Sequence, residues 1–132
     1  MKMQKRVLSV LACLILSASL SIEAFASLSP FFNTTTKGYN CTGTGHLFTS
    51  SATATLTATL NPDLPHIPSD ECHAEVWLFA FDSDDQKVGG EVSTGTTSAT
   101  ATYQSSEKPL SWMGCEFIFT GTNLGKYTLV RP

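Results

Sequence analysis

His73-Ala74-Glu75-Val76-Trp77-Leu78-Phe79-Ala80-Phe81-Asp82 decides the fold class of this chain. From Val76 onward the run is apolar at both parities. Val76, Leu78 and Ala80 point one way in an extended backbone, and Trp77, Phe79 and Phe81 point the other. Apolar side chains on both faces mark a strand with cover on each side, which places it at the centre of a sheet. A buried helix fits poorly, because the run is short, aromatic and β-branched, and ends at the turn Asp82-Ser83-Asp84-Asp85-Gln86. Trp77 is therefore expected in the core.

The flanking sequence is extended as well. Ala52-Thr53-Ala54-Thr55-Leu56-Thr57-Ala58-Thr59-Leu60 alternates with a period of two, Ala and Leu inward and Thr toward water. Before it, residues 38–48 form a strand weakened by Gly43 and Gly45, at an edge or bulged. Pro62, Pro65 and Pro68 make residues 61–71 a loop. Past the central run, residues 87–93 return as a short strand with Gly89-Gly90 at a bulge or bend, and 97–103 alternates with Ala99, Ala101 and Tyr103 inward. Residues 104–114 read as a loop, 115–120 and 126–130 as the last strands. About seven short strands without a helical window predict an all-β domain, a small antiparallel β-sandwich or open barrel. The layout is similar to small secreted bacterial β-sandwiches in architecture alone, and architecture does not fix function.

Export is expected from the first residues. Lys2, Lys5 and Arg6 precede an apolar segment from Val7 to Leu20, and Ala24-Phe25-Ala26 supplies the small residues of a cleavage site. Val10-Leu11-Ala12-Cys13 loosely fits a lipoprotein signal, but cleavage there would leave too short an apolar segment. The expected organisation is a signal peptide at 1–26, a flexible leader at 27–37 and one domain at 38–132, with no membrane span after processing. Losing Lys2, Lys5, Arg6 and Glu23 with the signal peptide takes the formal charge from −3 to about −5. An acidic chain without a basic run argues against a nucleic-acid partner.

Cys41, Cys72 and Cys115 remain after processing, and an oxidising compartment favours one disulfide. Cys41–Cys72 is the expected pair, provided the proline loop carries Cys72 over the sheet end. A Greek-key crossing would instead bring Cys115 to one of them. The unpaired thiol leaves a monomer, or a dimer bridged through it.

The candidate chemistry divides into two classes. The first is a secreted, non-enzymatic binding module for a glycan, a cell surface or a protein, without a cofactor. Its recognition loop would hold Trp112 and Met113 as apolar anchors and Lys108 among the polar residues around them, unless Trp112 instead folds over the end of the sandwich as a plug. The second is a small metal-binding protein or enzyme using His66, Asp70, Glu71 and His73, although no zinc-ligand spacing is present. Asp82–Gln86 begins like a calcium loop but has Lys87 and Ser93 where glycine and glutamate belong. No nucleophile elbow or phosphate-cradling glycine loop occurs. The Thr53–Thr59 ladder resembles the face of ice-binding β-proteins, but β-propensity on a wet sheet face accounts for it.

Overall fold

The computed structural model describes residues 27–131, so the expected signal peptide lies outside the described residues. The chain forms two four-stranded antiparallel sheets, a β-sandwich of eight strands where the sequence suggested seven. The strands are β1 (Ser27–Thr36), β2 (Tyr39–Leu47), β3 (Ser51–Leu60), β4 (Ala74–Phe81), β5 (Lys87–Gly95), β6 (Ser98–Gln104), β7 (Trp112–Phe119) and β8 (Thr122–Val130). Sheet A has the order β1-β2-β3-β6 and sheet B the order β5-β4-β7-β8. The chain crosses between sheets after β3, β5 and β6. The run read as central becomes β4, flanked by β5 and β7.

The extra strand is the expected leader. Residues 27–36 pair along the whole of β2, and Lys37 and Gly38 close the hairpin at φ 55° and 83°. What fixes this edge is aromatic. The register shifts between Pro30 and Phe32, so consecutive residues Phe31 and Phe32 both pack on the core. Their rings stack on Tyr127 of β8 at 5.2 and 5.4 Å, which ties the edge of sheet A to that of sheet B. They also cover Gly43 and Gly45, whose hydrogens leave the room that the rings occupy.

Both inner faces mix small and large side chains. Sheet A turns Tyr39, Leu47 and Leu56 inward beside Ala52, Ala54, Ala99 and Ala101, and sheet B opposes them with Leu78, Met113, Phe117 and Phe119 beside Ala74 and Ala80, all buried. Alternating bulk across the interface lets two pleated faces interdigitate at interior density. Where β6 is exposed at its edge, Glu91 of β5 accepts a 2.6 Å hydrogen bond from the Thr102 backbone N–H, which blunts that edge.

The expected Cys41–Cys72 disulfide is absent: Cys41, Cys72 and Cys115 are all free and buried. Cys41 projects into the core from β2 with its Sγ turned to the Tyr39 carbonyl at 3.8 Å. Cys72, ahead of β4, has its Sγ on the Pro68 carbonyl at 3.6 Å. The two thiols are thus neighbours directed at separate acceptors. Burial, with Cys72 nearby, pushes the Cys41 thiol up to about 11, and burial alone pushes Cys115 up to about 12. None of the three sits at the surface, where a bridge to another chain forms.

The second correction concerns the central strand. Val76, Leu78 and Ala80 are buried as read, but Trp77 on the opposite parity is 36 % exposed and belongs to the outer face of sheet B. Among the described residues no third layer covers that face. Parity assigns side chains to two faces; it does not count the layers packed on them.

Candidate functional site

The outer face of sheet B gathers most of the exposed apolar bulk. Trp77, Val92 and Val130 are three of the large hydrophobic residues left exposed, and all three lie on it. Register builds the surface in rungs across the strands. One rung runs Val92, Trp77, Glu116, Lys126; the next Gly90, Phe79, Gly114, Thr128; the next Lys87, Phe81, Trp112, Val130. The aromatic side chains of β4 thus form a row along a rigid central strand, about 6.8 Å apart from two residue rises. The observed separation of the Trp77 and Phe79 ring centroids is 6.4 Å.

Polar groups hold the rings in place. Glu75 accepts a hydrogen bond from the Trp77 indole N–H, and the same carboxylate lies 3.5 Å from His73 Nε2. Trp112 stacks on Phe81 with centroids 3.8 Å apart and planes 4° from parallel, and its Nε1–H donates to Asp85 at 2.8 Å. Asp85 itself adopts φ 61°, a left-handed conformation that an Asp in a tight turn tolerates. Lys87 places its ammonium 4.9 Å over the Phe79 ring. Glu116 accepts from the Asn123 amide at 2.7 Å. Both indole donors are satisfied within the protein, so the rings are fixed before any ligand arrives and offer apolar surface rather than hydrogen bonds.

A second feature lies at the end of the sandwich. Asp82, 4 % exposed, accepts hydrogen bonds from the Gln86 and Asp84 backbone N–H groups at 3.0 and 2.9 Å, with Lys108 3.5 Å away. The Gln86 N–H, the Asp84 N–H and the Lys108 charge hold its carboxyl below the usual carboxylate range, against the opposing effect of burial. It borders a cleft of about 250 Å³ that Tyr103, Lys87 and Lys108 also line. These contacts make Asp82 the organiser of the β4–β5 turn.

The residues singled out from sequence do not converge as expected. Trp112 opens β7 rather than sitting in a loop, and faces out. Met113, next along the strand, points the other way and is fully buried, so it contacts no ligand. Lys108 is exposed but engaged with Asp82 at the sandwich end. Of the metal candidates, His66 turns its Nδ1 to the Leu64 carbonyl at 3.1 Å and His73 lies beside Glu75. Asp70 is in the short 3₁₀ turn Ser69–Glu71. No group of three or more His, Cys, Asp or Glu placed to hold a metal exists among the described residues.

Sequence reasoning missed Phe79, Phe81, Glu116 and Gly114 as surface groups. For the first two the signal was present, since they share the parity of Trp77. Comparison with family models, with curated proteins and with solved structures returns no match.

Proposed function

We propose that this protein is a secreted, non-enzymatic binding module that recognises carbohydrate through the outer face of sheet B. The observation carrying this is the row Trp77–Phe79 on a central strand, exposed at Trp77 and half-buried at Phe79, held in place and flanked by the charged groups Glu116, Lys126 and Lys87. A sugar ring presents an apolar C–H face inside a perimeter of hydroxyls. An aromatic ring beside Glu116, Lys126 and Lys87 matches both parts of that surface. A protein partner would favour a larger apolar centre with charge confined to the rim. Here charge and ring alternate within a few ångströms. Export, expected from the first residues, would put this face in contact with extracellular polysaccharide.

The test is a glycan array and a pull-down on insoluble polysaccharides, with Trp77→Ala alongside. Loss of retention by about tenfold or more on truncating Trp77 is the expected outcome, the scale of a hot-spot residue. Absence of binding across both formats, or binding indifferent to Trp77, refutes the proposal.

A further inference from the structure

Among the nine glycines of the chain, one has no structural reason to be glycine. Gly38, Gly121 and Gly125 adopt φ values of 83°, 81° and 118°, where L side chains are strained. Gly43, Gly45 and Gly89 lie beneath the rings of Phe32, Phe31 and Tyr103, with the space for a Cβ already taken at 2.1, 2.7 and 2.2 Å. A Cβ on Gly90 or Gly95 would strike a carbonyl oxygen at 2.3 or 2.0 Å. Gly114 is different. It sits in the middle of the central strand β7 without a positive φ, and the nearest atom to an added Cβ is Cζ3 of Trp112 at 3.8 Å.

A glycine inside a strand weakens it, and where no bulge or bend accounts for it, it marks a close approach by a ligand or another backbone. A Cβ on Gly114 would fit at ordinary contact distance from Trp112 Cζ3 (3.8 Å) and the Tyr127 carbonyl (4.0 Å), on the outer face of sheet B. This position belongs to the rung Gly90, Phe79, Gly114, Thr128, which carries one ring and otherwise only hydrogen or a hydroxyl-bearing side chain. The rung on one side bears Trp77, and the rung on the other bears the Phe81–Trp112 stack. Gly90, Gly114 and Thr128 lie low between two tall rows, and with Phe79 standing among them they make a shallow trough across the strands, about 14 Å long from three strand spacings.

Resting on the carbohydrate reading above, we infer that the ligand is a linear, neutral glycan chain lying in this trough, with one sugar against Phe79 beside the Lys87 ammonium that lies over its ring, and the next over Gly114. The trough crosses the strands, and the β4 and β7 backbones are already paired on both sides, so a peptide cannot dock by adding a strand. Groups of both signs along it, Glu116, Lys126 and Lys87, suit hydroxyls rather than a charged polymer.

The experiment is calorimetric titration of the purified protein with soluble β-glucan, xylan, mannan and chitin oligosaccharides, from mono- to hexasaccharide. It is repeated on Gly114→Val and Trp77→Ala, with thermal melts of each. Gly114→Val should melt no lower than the parent protein, because its Cβ meets Trp112 and the Tyr127 carbonyl at no less than 3.8 Å, yet weaken oligosaccharide binding by at least about tenfold. Affinity should rise with chain length until the trough is spanned. If Trp77→Ala abolishes binding while Gly114→Val binds like the parent, or a monosaccharide binds as tightly as a hexasaccharide, the trough is refuted and the carbohydrate face stands. If no oligosaccharide binds the parent protein, both fall. If Gly114→Val melts lower, Gly114→Ala, with a side chain of one carbon, replaces it under the same criteria. A lower melting point for that variant too refutes the claim that glycine is dispensable to the fold there.

Discussion

Replacing Gly43 with alanine should destabilise the protein, although strand propensity predicts the reverse. The new Cβ would sit 2.1 Å from Cε2 and 2.7 Å from Cζ of Phe32. Carbon atoms pack best at about 3.5–4.0 Å, so the ring must retreat by roughly 1.5 Å. It cannot do so without loss, because it is edge-on to Phe117 at 5.2 Å and stacked on Tyr127 at 5.4 Å. Overpacking of this kind costs about 1–3 kcal/mol, and the smaller unfolded-state entropy of alanine returns about 0.4–1 kcal/mol. A net loss of about 1–2 kcal/mol corresponds to a fall in Tm of about 5–15 °C for a domain of this size. Urea unfolding followed by near-ultraviolet circular dichroism reads it directly. The decisive control is the double variant with Phe32→Ala. With the ring gone, Gly43→Ala should cost almost nothing, giving a coupling of at least about 0.5 kcal/mol between the two sites. Additive effects, or a Gly43→Ala protein as stable as its parent, would refute the account of β1 as an aromatic lid on β2.

Three further outcomes follow from the geometry. Because the folded state holds the Asp82 carboxyl below its unfolded value, its contribution is complete above the unfolded pKa, about 3.9, and disappears as pH falls through the lower folded value. Urea midpoints measured from pH 5 down to 2 should therefore fall more steeply for the parent than for Asp82→Asn, and parallel curves would contradict this. Iodoacetamide at pH 8 should leave Cys41 and Cys115 unmodified in the native protein and label Cys41, Cys72 and Cys115 once denaturant is added. Labels that appear only after a reductant would show that a disulfide forms. Trp112→Phe keeps a ring against Phe81 but removes the 2.8 Å bond to Asp85, and should cost about 0.5–1.5 kcal/mol in chemical denaturation; a neutral result would mean that the bond adds nothing.

What was legible in the sequence was what period two encodes. The Ala-Thr alternation of β3 and β6 and the inner parity of β4 place Ala54, Ala101 and Leu78 in the core as read. Three things escaped it. The leader is a strand because Phe31 and Phe32 reach across to β8, and a long-range ring contact has no local signature. Residues 112–114 looked like a loop because Trp, Met and Gly lack alternation when read alone, yet they complete the pattern of Cys115, Phe117 and Phe119 two residues at a time. The two thiols were placed near one another, but the direction of each Sγ depends on the carbonyl it meets, Tyr39 for one and Pro68 for the other.

The candidate site was written in the same residues as the fold and was read as fold. Trp77, Phe79 and Phe81 suggested a strand covered on both faces, since apolar groups on a second face usually mean a second layer. Only the arrangement of the other strands shows that no described element lies over them. Once β1 is spent as the edge of sheet A and β8 as the edge of sheet B, every strand is accounted for and the outer face of β4 remains bare. Apolar surface beyond what the core needs is then the surface that the proposed glycan would cover. Gly114 reinforces this from the opposite direction. Rings stand where water should be, and a hydrogen stands where the backbone would accept a side chain. Either departure alone is unremarkable in a small domain. Side by side on adjacent central strands, one presents a stacking surface and the other clears space beside it, the pairing that a chain of flat, amphipathic rings requires.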